Sequence, residues 1–279
     1  SGKVYGRPVH ELIWRSFTTA ASDFEPLKHV TPYATVYPPG SNLDELSERM
    51  NLALSRGLKA VKIEEWPGQF GNVDVDTDVA VVEKARSILG PKRDLMIDVQ
   101  NRWRDVGQAL RTIEEIEQFK PFFIEAPLPA DNIEGYRRLA EATNIRIAVG
   151  DWGFSTRHEF ADLLRRGRVD VVQPSSVRAG GMHEILNVAE DAYRFGALCV
   201  PHTWCHVVGV AAEIHLAAIT PNMPYFEFPI AFPPSPLVEN LLLPQFEISS
   251  EGTISVPDRP GLGFELNEDV VSEFRVEPY

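Results

Sequence analysis

Eight segments of this chain are apolar at nearly every position, and amphipathic stretches lie between them. The apolar segments are residues 32–37, 58–63, 94–99, 121–126, 145–150, 169–174, 197–202 and 224–229. Nearly continuous apolar character, rather than alternation, is typical of parallel strands that are covered on both faces. The clearest amphipathic stretches are residues 42–57, 77–90, 107–119 and 158–167. Ser155 or Thr156 is a candidate N-cap for the last of these helices, and Gly167 is placed to end it.

The spacing of the strand ends predicts the architecture. Most of the strands end in a polar or ionisable residue: Lys62, Asp98, Glu125, Asp151, Ser175, His202 and Glu227. The first interval is 36 residues and the others are 24 to 27 residues, which is close to the length of one strand, one helix and their loops. We therefore predict an α/β fold, a TIM-type (β/α)7β barrel over residues 31–235. An open doubly wound sheet is the alternative, but the sequence YPPGSNLDE follows the first strand where that fold usually carries a Gly-rich phosphate turn.

The two ends of the chain do not follow the repeat. Residues 1–30 and 236–279 contain several Pro and Gly turns. Within the second of these segments, residues 245–258 predict a β-hairpin around Glu251 and Gly252. The late GLGF sequence, residues 261–264, follows no strand of the series and predicts a turn. We expect both ends to form part of a second layer beside the barrel.

Composition and charge limit the possible functions. Apolar residues make up 44% and charged residues 24% of the chain, as in ordinary soluble proteins. Lys and Arg number 27 against 40 Asp and Glu, so the formal net charge is −13. Such a charge disfavours binding to nucleic acid or to anionic membranes. An anionic substrate would need a local cation, either a metal ion or a Lys or Arg side chain.

The sequence also bears on the compartment. No uncharged apolar run is long enough to span a membrane, and the first residues lack the apolar core of a signal peptide. The two cysteines, Cys199 and Cys205, indicate no disulfide framework. We therefore expect a cytoplasmic protein.

Three acidic residues end neighbouring predicted strands: Asp98, Glu125 and Asp151. In a barrel of this type the carboxyl ends of the strands converge on one pocket. Three carboxylates in such a pocket repel one another unless a hard divalent cation neutralises them, and a site built only from oxygen favours Mg²⁺. The alternative is that these acids cap loops or pair with nearby arginines: Arg102, Arg104 and Arg146.

Three further residues point to proton transfer in the same predicted pocket. His202 follows the seventh strand, where it is either a base or a hydrogen-bonded structural residue. Lys62 and Glu64 lie two residues apart on the second strand, so they share one face about 7 Å apart. Both can point into the pocket, and the alternative is a solvated charge pair at the strand end.

These residues resemble the enolase superfamily, in particular its mandelate racemase and acid-sugar dehydratase branch. The matching stretches cover nearly the whole chain, in family order: GLKAVKIE, LMIDVQNRW, FIEAPLP, IAVGDWG, VDVVQPSSVRAGGMHE, CVPHTW, PYFEF and RPGLGFEL. The segments EAPLP, QP…RAGG and PGLG are specific in combination.

The resemblance implies a reaction and a role for each residue. The reaction is removal of the proton α to a carboxylate, with stabilisation of the resulting enolate. The three strand-end carboxylates would bind Mg²⁺, and His202 would be the base. Lys62 would face the carboxylate of a small-molecule substrate, and Glu227 would donate a hydrogen bond to an enolate oxygen.

Three positions depart from the family pattern. Glu64 stands where the family usually has a second Lys, Ser175 replaces the Asp that orients the His, and Gln100 replaces an Asn. Without that second Lys, one face of the enolate lacks its usual acid or base. The departure favours dehydration of an acid sugar by a lyase over racemisation, although Glu64 itself remains a candidate catalytic residue. A racemase or epimerase, and a non-catalytic barrel that binds metal and an acidic metabolite, are the alternatives.

The resemblance also bears on domains and partners. The family carries an N-terminal α+β capping domain before the barrel. Residues 1–30 would then be a linker or a remnant of the capping domain, and residues 236–279 would return to it. We expect a homo-oligomer, and a separate N-terminal capping segment is a further candidate partner.

Overall fold

The computed structural model describes residues 2–16, 23–36, 43–64, 74–204, 207–231 and 233–276. It contains a curled sheet of eight parallel strands. The strands are β1 Pro32–Val36, β2 Ala60–Ile63, β3 Asp94–Asp98, β4 Phe123–Glu125, β5 Arg146–Val149, β6 Val171–Val172, β7 Leu198–Cys199 and β8 Phe226–Pro229. Each strand from β1 to β6 pairs with the next along the chain, and β8 returns to pair with β1. The predicted TIM-type α/β barrel is confirmed.

Helices connect the strands and cover the outside of the sheet. They are Leu43–Ser55, Val75–Leu89, Val106–Ile116, Ile133–Ala142, Arg157–Asp162, Met182–Arg194 and Val207–Ile219. Polar caps begin several of them, as at Asp74 and Asp105. Thr156, rather than Ser155, caps the helix that starts at Arg157, and Glu159 completes a capping box. That helix runs on as a π-helical turn, Leu163–Gly167, and so ends at the predicted glycine.

The lower half of the barrel is filled by side chains. Seven residues form this plug, one from each of β1 to β6 and Val200 directly after β7, and each is at most 2% exposed: Tyr33, Ala60, Met96, Phe123, Ala148, Val171 and Val200. The rings of Tyr33 and Phe123 meet edge to face across the barrel, with centroids 6.4 Å apart. A larger apolar core lies between the strands and the helices. Because the plug closes the interior, polar groups that converge inside the barrel can do so only at the carboxyl ends of the strands.

The chain ends form short elements beside the barrel. These are helices Gly2–Tyr5, Val9–Ser16, Pro236–Glu239 and Glu268–Glu273, with antiparallel pairs of His29–Val30 with Ile254–Ser255 and of Leu242–Leu243 with Glu265–Leu266. The predicted hairpin is only partly formed. Gly252 makes the turn with φ of 80°, but a single bridge, Ile248 to Ile254, joins its two sides. The strand that follows the turn pairs instead with His29–Val30, which occupies its other edge.

Other predictions are settled more simply. Residues 261–264 form the predicted turn, with positive φ at Gly261 and Gly263. None of the described helices is both long and apolar enough to cross a bilayer. Cys199 is a buried free thiol, whereas Cys205 lies outside the described residues, as do Tyr37 and Asn42 at the ends of two predicted elements.

Candidate active site

Three buried carboxylates converge at the carboxyl ends of β3, β4 and β5. Asp98 and Glu125 are the last residues of β3 and β4 and stand directly opposite each other in register. Asp151 lies two residues beyond β5. One oxygen from each side chain lies within 4.8 Å of the others, and the three residues are 3%, 0% and 4% exposed. Burial is the largest cause that raises the pKa of all three carboxyls.

The main chain at Asp151 is held by a residue in the loop after β6. Arg178 donates from Nη1 to the main-chain oxygen of Asp151 at 2.6 Å. The same guanidinium lies 3.9 Å from the ring centroid of Trp152, which is 58% exposed. The hydrogen bond restrains the backbone of the loop after β5, and the stacking orients the guanidinium.

The contacts of Glu125 fit a bound cation. Its Oε2 accepts hydrogen bonds from Lys62 Nζ and Gln173 Nε2, each at 2.7 Å. Its Oε1 is buried and has no hydrogen-bond partner among the described residues. An unpartnered buried carboxylate oxygen is costly, and a metal ion would satisfy it. Since all three candidate metal ligands are carboxylate oxygens, the site suits Mg²⁺.

The arginines considered as alternative partners lie elsewhere. Within the described ranges, none of Arg102, Arg104 and Arg146 forms a salt bridge with the three carboxylates. The Arg146 guanidinium stacks on the Phe122 ring at 4.6 Å, near the start of its strand. The structure therefore does not bear out the arginine pairing.

Lys62 links the three carboxylates to the rest of the site. It is 1% exposed, and its Nζ lies 2.7 Å from Glu125 Oε2, 3.3 Å from Glu227 Oε1 and 3.8 Å from Asp98 Oδ2. Burial lowers the pKa of Lys62, but the charges of Glu125 and Glu227 raise it further, to well above its usual value. Lys62 is therefore a buried ammonium and not a solvated charge pair with Glu64.

Glu227, on β8, accepts every hydrogen bond that it makes. Its partners are the Thr35 hydroxyl, the Thr203 N–H at 2.8 Å and the Trp204 N–H at 3.0 Å. Burial alone would raise the pKa of Glu227, but Lys62, His202 and these donors lower it to about 2. The predicted role as a donor to an enolate needs a protonated carboxyl, whereas these contacts favour the ionised form.

His202 lies beside this carboxylate. Its Nε2 is 3.7 Å from Glu227 Oε2, and its Nδ1 is buried without a hydrogen-bond partner among the described residues. Burial lowers the pKa of His202, and the Glu227 charge opposes that shift only in part. A neutral imidazole with a free nitrogen is able to accept a proton.

Glu64 directly follows β2, and an unusual loop after β3 holds its side chain. Gln100 and Asn101 both have positive φ, of 54° and 58°. This backbone lets the Gln100 N–H donate to Asp98 Oδ1 at 2.9 Å while its side chain donates to Glu64. Burial, opposed by Lys62, raises the pKa of Glu64 to about 8, so the carboxyl is largely protonated at neutral pH. Left-handed backbone at two consecutive non-glycine residues is costly, and such strain is enriched at functional sites.

The family is settled by comparison with known proteins. Residues 45–270 match the family model described as enolase C-terminal domain-like. This chain belongs to the enolase superfamily. Its barrel is thus the barrel of an enolase-superfamily chain.

Curated relatives are sugar-acid enzymes. A D-galactarolactone cycloisomerase from Agrobacterium fabrum is 30% identical over 99% of this chain and 70% of its own length. A D-gluconate dehydratase from Thermoproteus tenax is 29% identical over 83% of this chain and 46% of its own length. The chain thus spans about half the length of some curated relatives that it matches.

Solved structures agree with the family assignment. An L-talarate dehydratase from Polaromonas sp. JS666, complexed with Mg and L-glucarate, has a TM-score of 0.78 and 28% identity, and the match covers 97% of this chain and 68% of that one. A 3,6-anhydro-D-galactonate cycloisomerase from Zobellia galactanivorans has a TM-score of 0.82 and 27% identity, over 98% of this chain and 71% of that one.

The structure adds site residues that the sequence analysis missed: Thr35, Gln173 and Glu213. Thr35 and Gln173 each stand as a polar residue in a nearly apolar segment, and that contrast was the available signal. Glu213 lies in a helix with no polar strand end nearby in sequence, so the strand-end rule could not find it. All seven predicted site residues do lie at this end of the barrel: Lys62, Glu64, Asp98, Glu125, Asp151, His202 and Glu227.

Proposed function

We propose that this chain carries the barrel of a Mg²⁺-dependent lyase that removes the proton α to the carboxylate of an acid sugar and eliminates water. The observation that carries the proposal is the arrangement around Lys62. One buried ammonium contacts two of the three candidate metal ligands and, on its other side, the carboxylate beside His202. Dehydratases among the relatives support the choice of substrate class.

The metal ligands in this proposal are Asp98, Glu125 and Asp151. A bound Mg²⁺ would supply positive charge to the substrate carboxylate and to the enolate that forms from it. Glu125 would use its unpartnered Oε1, because Oε2 is already held by Lys62 and Gln173. Lys62 keeps that ligand oriented and adds a second positive charge, itself buried.

His202 takes the α-proton in this proposal. Its depressed pKa keeps the imidazole neutral, and therefore basic, at neutral pH. Glu227, held ionised by Lys62 and two main-chain N–H groups, stabilises the imidazolium that forms. We propose this role for Glu227 in place of the donor role suggested by the family resemblance.

Glu64 is suited to protonate the hydroxyl that leaves after the α-proton has been removed. Elimination of water requires a proton for the departing hydroxyl, and a carboxyl with a pKa of about 8 carries one at neutral pH. The hydrogen bond from Gln100 fixes one oxygen of that carboxyl. We propose Glu64 as the general acid, which would explain why a Lys is not needed at this position.

The test is a panel of acid sugars and their lactones, incubated with the protein, Mg²⁺ and D₂O. Proton NMR should show loss of the α-proton signal for at least one acid, followed by a dehydrated keto acid. His202→Asn should abolish exchange, while His158→Asn, at an exposed position, should not change it. Glu64→Gln should slow product formation more than exchange. Bound Mg²⁺ without exchange for any acid would contradict the proposal.

Two other functions remain as alternatives, each with its own outcome in that experiment. The cycloisomerases among the relatives and structural neighbours favour a reaction in which the same α-proton is removed but no water is lost. Exchange with isomerised product would identify a cycloisomerase, racemase or epimerase. A non-catalytic barrel is favoured by Ser175 and by the unpartnered His202 Nδ1, and it would bind metal and acid without exchange.

Domain limits, partners and location also stay proposals. We propose that residues 31–235 form the barrel, that residues 1–30 and 236–279 belong to a capping layer, and that the protein is a cytoplasmic homo-oligomer. A small carboxylate is the proposed ligand, and a separate N-terminal capping segment the further partner. Light scattering after size-exclusion chromatography gives the oligomeric state directly, and a monomer would contradict that part.

A further inference from the structure

Glu213 is a buried carboxyl to which neither the family resemblance nor the proposed mechanism assigns a role. It lies in the helix Val207–Ile219, whose other buried residues, apart from His215, are all apolar. Glu213 is 0% exposed. Placing a carboxyl in such surroundings costs free energy unless hydrogen bonds satisfy it, so its partners matter.

The partners of Glu213 come from two different loops of the active-site end. Oε1 lies 3.2 Å from the Ser176 hydroxyl, in the loop after β6. Oε2 is hydrogen-bonded to the Thr203 hydroxyl, in the loop after β7. Thr203 in turn donates its main-chain N–H to Glu227 Oε2 at 2.8 Å. One carboxyl therefore joins the two loops and, through Thr203, reaches the carboxylate beside the candidate base.

The two residues that Glu213 contacts each lie next to a position that bears on the candidate base. Thr203 follows His202 directly, and Ser176 follows Ser175, where the family resemblance predicts an acid that orients the base. The uncharged Ser175 leaves that orienting function unfilled. The Glu213 bridge restrains the main chain beside both positions.

We propose that Glu213 is a positioning residue. By joining the loop after β6 to the loop after β7, it fixes the position of His202 relative to Glu227. This inference rests on the proposed function, since it concerns the same base. Glu213 does not touch the substrate pocket groups directly; it acts through Thr203.

The electrostatics are consistent with a bridge made by a neutral carboxyl. Burial, together with the charge of Glu227, raises the pKa of Glu213 well above its usual value. A protonated carboxyl offers one donor and one acceptor oxygen, and because a hydroxyl can either donate or accept, it can bond to both Ser176 and Thr203. It also avoids a second negative charge beside Glu227, so the bridge does not disturb the ionised state of that carboxylate.

The kinetic test compares Glu213→Ala with Glu213→Gln. The alanine variant breaks the bridge, and we expect kcat to fall about 10–100-fold with KM changed less than about threefold, because misplacement of a base affects the chemical step. The amide keeps a donor and an acceptor in the same shape and should recover at least tenfold of the loss. A glutamine variant as slow as the alanine variant, or an alanine variant with unchanged kcat, would overturn the proposal.

The matched control lies at the opposite end of the barrel. Asn222 is 7% exposed and donates to the carbonyls of Ala189 and Ala197, each at 3.0 Å. Asn222→Ala removes buried hydrogen bonds without touching the active-site loops. It should lower the melting temperature and leave kcat unchanged. If it lowers kcat as much as Glu213→Ala does, the effect of Glu213 is loss of stability and the inference fails.

A crystal structure of the Glu213→Ala protein tests the inference without any substrate. We expect the main chain at residues 202–204 to move and His202 to lose its position relative to Glu227, while Asp98, Glu125 and Asp151 stay in place. Thr203→Val should show the same displacement if the alanine variant does not fold. An undisturbed loop in whichever variant crystallises would contradict positioning. Because this readout needs no turnover, failure of the proposed reaction alone would leave it unaffected.

Discussion

At the scale of single residues, the site places one buried ammonium among several buried carboxylates. Three carboxylates surround Lys62, and two of them belong to the candidate metal site. A buried ion pair is costly to build and more costly to break, because removal of one partner leaves the other charge unpaired. Lys62 therefore stabilises the metal-free protein as well as serving the proposed chemistry.

Removal of the Lys62 charge should lower stability in a way that depends on Mg²⁺. We expect Lys62→Met to lower the free energy of unfolding by about 3–5 kcal/mol in EDTA. Saturating Mg²⁺ should restore more stability to the variant than it adds to the wild-type protein, since the cation replaces the missing charge. Urea titrations with and without Mg²⁺ measure both quantities. Equal Mg²⁺ effects on the two proteins would show that Lys62 and the metal do not share the carboxylates.

The pH dependence of His202 follows from its burial. Its pKa is shifted below the ordinary value of 6.5, so the base is lost only as pH falls below that value. The acid limb of α-proton exchange should therefore have its midpoint below pH 6.5. Because the Glu227 charge raises the pKa of His202, Glu227→Gln should move the limb to lower pH still. A limb at or above pH 6.5, or an upward shift in the variant, would contradict this assignment.

Sequence reasoning at this scale succeeded where strand order alone places the residue. Asp98 and Glu125 end adjacent strands, and their register brings them together. It could not assign the ionised state of Glu227, because that state depends on Lys62 and on main-chain donors from the following loop. Nor could it find Glu213, whose partners lie 10 and 37 positions away in the chain.

At the scale of elements, apolar segments predicted the eight strands, and amphipathic stretches predicted four of the seven helices that connect them in the described part of the chain, because each unit must bury its faces against its neighbours. The hairpin near Gly252 was less predictable. Turn residues fix where the chain reverses, but a two-residue strand pairs with whichever edge the tertiary structure presents, here His29–Val30.

His215, in the helix Val207–Ile219, contacts residues from both ends of the chain, and we expect its protonation to affect stability. His215 lies 3.1 Å through Nε2 from the Leu262 carbonyl and accepts at Nδ1 from the His10 main-chain N–H at 3.3 Å. Burial lowers the pKa of His215 to about 4. Between that value and 6.5 the unfolded chain binds the extra proton, so stability is lost as pH falls through this window.

His215→Gln should remove this loss. We expect the wild-type free energy of unfolding to fall by on the order of 3 kcal/mol more than that of the variant between pH 6.5 and pH 4. Chemical denaturation across this range measures the difference. The exposed His158→Gln control should keep the wild-type slope. Parallel curves for wild type and His215→Gln would rule out this contact as the titrating one.

At the scale of the whole molecule, apolar packing and the candidate active site occupy opposite ends of the barrel. The aromatic and aliphatic plug fills one end, and the polar groups that face inward gather at the other. The net charge of −13 gives an anionic substrate no general attraction. In the proposed function, recognition of a carboxylate would therefore depend on positive charge in the site itself, such as Lys62 and the metal that the three carboxylates would hold.

The most direct test of this account is a crystal structure of the protein soaked in Mn²⁺, an ion that replaces Mg²⁺ at oxygen sites and is located by its anomalous signal. We predict one strong peak about 2.0–2.3 Å from oxygens of Asp98, Glu125 and Asp151, with Glu125 bound through Oε1. The peak should vanish in Glu125→Gln. Density that shows the three carboxylates with no ion among them, in crystals that bind Mn²⁺ elsewhere, would contradict the account.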